Sequence, residues 1–568
     1  MRTINKLRLF FAVTGIGILC YAYLITNHEQ IMMEDLKIYG YIEEQEIPLS
    51  FWKDDSEGKY YLFLPAAFSE ISPSDLIFRI EYKDIFYRLK IDGNTYKSGG
   101  KWNACKGEDE CKLQMEDVWK TDKREYYFQV LTSTGLPSVM ITAENIWEIE
   151  NPQLVSAQKY VEMGTIRIMD TQGNIVLDEK MENFKTRGNV TRIIDKKPFT
   201  FTLTEPVSVC GMEKATKWIL LANATDGSYL RNKIVLDIAD AATTEYVPGA
   251  EYVDLFINGE YRGMYLLTEV AETGENRVPI KQENGWFMEL EMEERRTYAD
   301  YSFVTGQGQA IALHTDVLPD DLEQEKLQKA IKRAEEVICF GEQGHLKLED
   351  VIDIESWAYV WAVQEIAGNC DVGITSQFFY TKEKSENAML YAGPVWDFDA
   401  TMGNTYVAMF RVPNALTSSV KETRAEYSLN QNRWMSALYQ HEVFREAVAK
   451  AYKEKILPEA SFMLQSGIED YTNLIERSAQ LDALRWHSNR LSWQYVLPEN
   501  IAIQEEGDYR RFDTLECNVD MVRGFLEEKI RFLNEVFVFE SEFNVEKEEN
   551  TELILDSNKV IYRWVKKE

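Results

Sequence analysis

The sequence predicts an α+β protein in which strands dominate the first part of the chain and helices dominate the rest. Short aromatic and β-branched runs, separated by turns that contain Gly or Asp, recur up to about residue 290. Apolar residues at helical spacing take over from about residue 318, as in LEQEKLQKAIKRAEEVICF. An uncharged run near the N-terminus adds a predicted transmembrane helix to this fold class.

These patterns divide the chain into four predicted segments. Residues 1–29 are expected to form a cytoplasmic stub and a signal anchor, and residues 30–145 a β-rich accessory domain. Residues 146–540 are expected to form the main domain, with a β-rich part to about residue 318 and a helical part after it. Residues 541–568 read as a charged C-terminal tail.

The predicted anchor is the run LFFAVTGIGILCYAYLITN, which follows Arg2, Lys6 and Arg8. A helix of this length nearly spans a hydrocarbon core of about 30 Å. Basic residues before the run place the N-terminus in the cytoplasm. We therefore expect a single membrane anchor with the bulk of the chain extracytoplasmic, and secretion after signal cleavage is the alternative.

Charge and cysteine content exclude some classes of function. The net charge of −32 argues against binding to nucleic acid, because a strong negative field repels phosphate polymers. It suits a basic protein partner, although solubility alone also explains a surplus of acids. The seven cysteines include no C-x-x-C pair, so a zinc site is not predicted. Cys105 and Cys111 are close enough in sequence for a local disulfide.

Acidic residues flank a predicted hairpin in GNCDVGITSQFFYTKEKSENAMLYAGPVWDFDATMG. If Ser376–Tyr380 and Met389–Val395 pair as antiparallel strands, their outer ends lie side by side. Asp371 then precedes one strand end, while Asp397 and Asp399 follow the other. Clustered carboxylates offer the hard oxygen ligands that Mg²⁺ or Mn²⁺ prefers. A structural Ca²⁺ site, or the capping of turns by aspartate, fits the same pattern.

A basic cluster interrupts this acidic chain in FKTRGNVTRIIDKKPFTFTL, where the charged side chains belong to Lys185, Arg187, Arg192, Lys196 and Lys197. Basic side chains together with exposed backbone N–H groups form anion-binding sites. A solvated loop that balances nearby acids is the alternative. An anion site, an acid pair for a divalent metal, and a β-rich part before a helical part together suggest a phosphoryl-transfer enzyme.

The succession KTRGNVT…KKPFTFTL, KWILLANATDGSYLRNKI, LFINGEYRGMYLLTE and NCDVGITSQFFY…VWDFDATMG resembles the spore coat protein H (CotH) family of atypical kinases. The resemblance covers about residues 146–539. It implies a divergent, two-lobed protein-kinase-like fold and transfer of the γ-phosphate of ATP, with Mg²⁺ or Mn²⁺, to serine or threonine. The implied partner is a surface or spore-coat-like protein substrate, basic and rich in serine.

The resemblance also implies roles for the acidic residues. Asp371 corresponds to the catalytic-loop aspartate, which orients or deprotonates the substrate hydroxyl. Asp397 is the first expected metal ligand and Asp399 the second. The family usually has an Asn shortly after the catalytic Asp, whereas this chain has Gln377 before FFY, so Gln377 is expected as a longer amide ligand. A catalytically weak surface binding or adhesion protein on the same fold is the alternative function.

The remaining implied residues contact ATP. Lys196 or Lys197 is expected at the phosphates, with Arg187 in the same anion site. Arg231 is expected to add a second basic contact from the start of a helix. Glu269, which ends YLLTE, corresponds to the hinge that contacts adenine.

Overall fold

The computed structural model describes residues 31–539, together with the strand backbones at 551–556 and 561–566. Within the first range the gaps are residues 73–74, 84–86, 104–109, 119, 121, 152–161, 189–190, 244, 294–298, 300, 406–409, 421, 426–427 and 487–513. The described part combines helices with several β-sheets, which confirms the predicted α+β class.

The chain divides into two compact units. The first comprises the described residues up to Thr142 together with Arg167–Val176 and Asp254–Arg262. It contains a sheet with the strand order β2-β1-β5-β8 and a second sheet with the order β3-β4-β10-β9-β6-β7. Their strands are β1 Lys37–Ile42, β2 Gln45–Leu49, β3 Phe51–Asp54, β4 Lys59–Leu64, β5 Ile77–Glu81, β6 Tyr87–Ile91, β7 Asn94–Tyr96, β8 Gly100–Asn103, β9 Cys111–Asp117 and β10 Lys123–Thr132.

Alternation between buried and more exposed positions explains why the first unit folds as sheets. In β9, residues Cys111, Leu113 and Met115 are buried, while the residues between them are partly exposed. Such period-two alternation is typical of a strand with one face on a core. Cys111 is disulfide-bonded, and Cys105 lies outside the described residues.

The following strands form a closed barrel with the order β11-β12-β13-β14-β15-β17-β16. They are β11 Ser138–Ala143, β12 Glu162–Met169, β13 Ile175–Thr186, β14 Phe199–Val207, β15 Ala215–Leu221, β16 Ala250–Ile257 and β17 Glu260–Thr268. The turn between β16 and β17 has positive φ at Asn258 (51°) and Gly259 (83°), as the Asn-Gly pair of a type I′ hairpin turn adopts.

The second unit comprises Ala143–Ile166, Leu177–Val253 and the described residues from Gly263 onward. This unit contains a sheet with the order β19-β20-β18-β21-β22. The strands after the barrel are β18 Phe287–Glu291, β19 Tyr301–Val304, β20 Ala310–His314, β21 Gln377–Tyr380, β22 Tyr391–Ala392, β23 Glu422–Ala425, β24 Ser428–Gln431, β25 Thr551–Asp556 and β26 Ile561–Lys566. The hairpins β23–β24 and β25–β26 are each two-stranded.

The helices belong to this second unit. They are α1 Ile146–Glu150, α2 Arg231–Ala241, α3 Asp321–Phe340, α4 Ile354–Ala367, α5 Trp434–Leu438, α6 Glu442–Ala451, α7 Leu457–Phe462, α8 Ile468–Trp486 and α9 Leu515–Asn534. One face of α3 is buried, as its apolar spacing predicts. Helix α4 is buried almost throughout, and it ends at Gly368 with the left-handed backbone common after a helix C-terminus.

The prediction of a membrane-anchored protein is corrected by the structure. Among the described residues, no helix is both long enough and apolar enough to cross a membrane, so the anchor is not supported. The run from Leu9 to Asn27, on which the prediction rested, lies outside those residues.

Candidate functional site

The predicted hairpin is present and sets the position of the site. Strands β21 and β22 pair antiparallel with Phe379 opposite Ala392 and Tyr380 opposite Tyr391. Strand β22 is shorter than predicted, because Pro394 follows it and has no backbone N–H for a ladder. The other edge of β21 pairs with β18.

An aromatic cluster fixes the two acidic ends of this hairpin. Phe378 and Tyr380 of β21 are buried with Phe287 of β18 and Trp396, which directly precedes Asp397. The rings of Phe287 and Phe378 are stacked with centroids 5.3 Å apart. The aromatic residues of the hairpin therefore form the core on which the acidic loops rest.

Ser376 connects the loop before β21 to the acidic segment after β22. Its hydroxyl donates to Asp397 Oδ2 at 3.1 Å. Both residues have left-handed backbones, with φ of 56° at Ser376 and 68° at Asp397. A positive φ in a non-glycine residue is uncommon and marks a constrained corner, often at a functional site. Asp397 itself is exposed.

Two carboxylates of β18 hold this corner. The N–H of Ser376 donates to Glu289 Oε1 at 3.0 Å, and Thr375 Oγ1 donates to Glu291 Oε1 at 2.7 Å. His314 Nε2 lies 2.9 Å from the other oxygen of Glu289. Sequence reasoning missed Ser376, Glu289 and Glu291. The available signal was the alternation of acids in FMELE, which places both glutamates on one face of a strand.

Asp371 begins the loop that ends at Ser376. Its N–H donates to Asn369 Oδ1 at 3.0 Å, and its carbonyl accepts from the N–H of Ile374 at 3.0 Å. The side chain is half-buried. Burial and the charge of Asp371 raise the pKa of the neighbouring Cys370 thiol, which therefore stays protonated.

Asp399 is tied to a second loop. Its Oδ2 accepts from Thr225 Oγ1 at 3.1 Å. Asn404 donates through Nδ2 to the carbonyls of Thr225 and Asp399, at 2.8 and 2.7 Å. Between the two aspartates, the N–H of Phe398 donates to Asn232 Oδ1 of α2 at 2.8 Å. The start of α2 and the loop before it therefore position the WDFD segment.

Arg231 supports that segment from within the core. Its side chain is fully buried and ion-paired with Asp226. Its Nε donates to the carbonyl of Thr401 at 2.9 Å, and its Nη2 lies 3.4 Å from that of Met402. The structure thus places the Arg231 guanidinium in contacts that hold the loop after Asp399.

Arg187 is the basic residue that the structure brings beside the acidic pair. Its guanidinium carbon lies 5.8 Å from the centroid of the Trp396 ring. Burial lowers the pKa of Arg187, while the charges of Asp397 and Asp399 act in the opposite direction. Gly188 follows with φ of 84°, and a Cβ there would lie 2.2 Å from Thr191 Oγ1, so the turn requires glycine.

The two lysines of the predicted phosphate site have different settings. Lys196 is 1 % exposed and forms an ion pair with Asp482 at 2.5 Å. The same Asp482 accepts from the N–H of Met264 and from the hydroxyl of Tyr229. Lys197 is mostly buried; burial lowers the pKa of its ammonium, and Asp195 opposes that change.

Glu269 and Gln377 are also buried. Glu269 Oε1 pairs with Arg277 at 2.7 Å, and its Oε2 accepts from the N–H of Gly249 at 3.1 Å. Burial raises the pKa of the Glu269 carboxyl, while the charge of Arg277 acts to lower it. The side-chain amide of Gln377 has no hydrogen-bond partner within the described residues. The structure therefore brings Ser376, rather than Gln377, into hydrogen-bond contact with Asp397.

No group of three or more His, Cys, Asp or Glu side chains that could hold a metal ion occurs among the described residues. Mg²⁺ is usually held by one or two carboxylates together with waters and substrate phosphates, so a pair of aspartates is compatible with it.

Residues 184–532 match the family model for CotH kinase protein, so the chain belongs to this family. No curated protein matches the chain. Among solved structures, a putative glycoside hydrolase from Bacteroides thetaiotaomicron is similar at 10 % identity and a TM-score of 0.13. That match covers 53 % of this chain and 89 % of the other, and its TM-score is too low to support an argument about fold.

Proposed function

We propose that the chain is an atypical protein kinase that transfers the γ-phosphate of ATP to serine or threonine of a protein substrate. The proposal includes a two-lobed arrangement, with the β-rich part of the second unit as one lobe and the helical part as the other. The observation that carries it is the contact between Ser376 and Asp397, which joins the loop of Asp371 to the acidic segment in a chain of the CotH kinase family.

The acidic pair fits the metal that this chemistry uses. Asp397 and Asp399 offer carboxylate oxygens, and one or two carboxylates with nucleotide phosphates suffice for Mg²⁺ or Mn²⁺. When bound, the metal neutralises charge on the phosphates. The hydroxyl of Ser376 orients the Asp397 carboxylate, and the glutamates of β18 fix the corner from which that hydroxyl points.

Other residues of the chain would act on ATP and on the substrate. Asp371 would accept or orient the proton of the substrate hydroxyl, as a positioned general base. Arg187 would meet phosphate oxygens as a charge-assisted donor, and the contact of its guanidinium with Trp396, next to the acidic segment, supports this role. Of the two lysines, Lys197 is the candidate for contact with the ATP phosphates, because Lys196 is buried in an ion pair with Asp482.

The test is phosphate transfer by the purified full chain. With labelled ATP, Mn²⁺ and a basic, Ser-rich peptide, we expect transfer to the peptide or to the chain itself. Asp397→Asn and Asp371→Asn should each lower the rate by at least about a hundredfold. Asp55→Asn, at an exposed carboxylate of the first unit, is the matched control and should leave the rate unchanged.

A catalytically weak binding protein is the second candidate. The enclosure of Lys196 and Arg231 favours it, because neither side chain is available to a phosphate. ATP with Mn²⁺ should then leave the unfolding temperature unchanged, and no phosphate should be transferred. A rise in that temperature, which is lost in Asp397→Asn, would decide for the kinase.

A further inference from the structure

A cavity of about 240 Å³ lies in the second unit beside the hairpin β21–β22. Its lining includes Tyr380 and Tyr391 of the hairpin, Tyr359 of α4, and Tyr246 with Glu245 from the segment between α2 and β16. Four aromatic rings around one small space are the feature that calls for an explanation.

The tyrosine hydroxyls differ in what they contact. Tyr246 donates to the carbonyl of Val270 at 3.0 Å, and Tyr359 donates to that of Ala239 at 2.7 Å. The hydroxyl of Tyr380 makes no hydrogen bond to a described residue and keeps some surface open to solvent, although the residue as a whole is only 5 % exposed.

The cavity lining contains three acidic residues and two lysines, so its net charge is −1. The carboxylates of Glu245 and Asp353 both line the cavity. After burial, they are the main cause of the raised pKa values of Tyr380 and Tyr391, so both acids act on these rings. On the basic side, Lys455 is paired with Glu355 at 3.1 Å.

Lys382 shows what kind of group the aromatic rings accept. Its Nζ lies 3.9 Å from the centroid of the Tyr391 ring, although its side chain is exposed to water. An ammonium over a tyrosine face is attracted by the ring quadrupole. The protein's own lysine therefore already uses one face of this aromatic cluster as a cation site.

We propose that this cavity binds an organic ammonium group, supplied either by a small amine or by a lysine side chain of a partner. Aromatic rings with a nearby carboxylate are the usual means of recognising such a cation. The volume is below the roughly 300–1,000 Å³ of sites for drug-sized ligands, which suits a single head group. The inference goes beyond the proposed phosphate transfer and does not depend on it.

Calorimetric titration of the full chain with choline tests the proposal. The control ligand is 3,3-dimethyl-1-butanol, which has the same shape without the charge. Choline should bind and the alcohol should not. The amide of N-acetyl-lysine forms a second arm: if it binds more tightly than choline, the source is a side chain, and the reverse result indicates a free amine.

The test is made specific by variants that are expected to weaken choline binding and by one that is expected to strengthen it. Glu245→Gln and Tyr391→Leu should each weaken choline binding about fivefold. Lys382→Met should strengthen it, because it frees the Tyr391 face. Glu336→Gln, at an exposed position of α3, should have no effect. Equal binding of choline and the alcohol, no binding of either choline or the lysine amide, or unchanged binding in Glu245→Gln would each overturn the proposal. The Glu245→Gln result decides even if Tyr391→Leu does not fold.

Discussion

Two regions of the second unit differ in how their carboxylates are exposed: one carboxylate is buried in an ion pair, and the other faces water. Glu365 of α4 and Lys529 of α9 are both 0 % exposed and lie 2.5 Å apart. Glu365 also accepts from the N–H groups of Thr417 and Ser418, at 3.0 and 2.7 Å. Asp397, in contrast, is exposed to water, on a backbone corner with positive φ.

The difference separates charges that hold the fold from charges that are available for chemistry. A buried ion pair is tolerable only when hydrogen bonds satisfy its remaining lone pairs and protons. Glu365, Lys529 and the Lys196–Asp482 pair meet that condition, which leaves them no capacity for a ligand. Asp397 is exposed and Asp399 is partly exposed, so both carboxylates can be reached by a metal ion from solvent.

The largest expected effect comes from breaking a buried pair. Lys529→Met leaves the Glu365 carboxylate without its countercharge and should lower the free energy of unfolding by about 3–5 kcal/mol. Denaturant unfolding measures it. The double variant Lys529→Met with Glu365→Leu should recover part of the loss, because no uncompensated charge remains. A loss below about 1 kcal/mol in the single variant would contradict this account.

The Lys196–Asp482 ion pair is tested by a substitution at Gly263, which lies against Asp482. A Cβ at Gly263 would lie 2.1 Å from Asp482 Oδ1, and its φ is 98°. We expect Gly263→Ala to cost about 2–3 kcal/mol, since it combines backbone strain with displacement of Asp482. Gly211 is the matched control, because its φ is 81° but no atom lies within 4 Å of its Cβ position.

If Gly211→Ala, measured by the same denaturant unfolding, costs as much as Gly263→Ala, backbone strain alone explains the effect. The Lys196–Asp482 pair would then not require the close approach of Gly263.

The smallest expected effect is on the rate of phosphate transfer, when a hydrogen bond to the exposed Asp397 is removed. Ser376→Ala removes one hydrogen bond to Asp397, worth about 1 kcal/mol, so the transfer rate should fall about fivefold. The KM for Mn²⁺ should rise while the unfolding temperature stays within about 1 °C of the parent. Ser466→Ala, in an exposed part of the helical region, is the control. A change in stability without a change in the KM for Mn²⁺ would show that Ser376 serves the fold alone.

Local sequence patterns predicted the elements that carry the site. The hairpin β21–β22 follows from its two aromatic runs, and the buried face of α3 follows from apolar residues at helical spacing. In each case the residues that determine the structure are neighbours in the chain.

Contacts between distant segments could not be predicted in this way. Nothing near Lys196 in sequence indicates that Asp482 will enclose it. The expectation of Gln377 as an amide metal ligand rests on the family resemblance. The backbone corner at Ser376, which that resemblance does not show, decides which side chain reaches Asp397. Glu289 and Glu291 gain their role only through the pairing of β18 with β21.

A crystal structure of the chain with a non-hydrolysable ATP analogue and Mn²⁺ tests the central claim most directly. The anomalous signal of Mn²⁺ should lie about 2.1 Å from carboxylate oxygens of Asp397 and Asp399, with phosphates between the metal and Arg187. A metal or nucleotide bound elsewhere, with the acidic loops at Asp397 empty, would contradict the account.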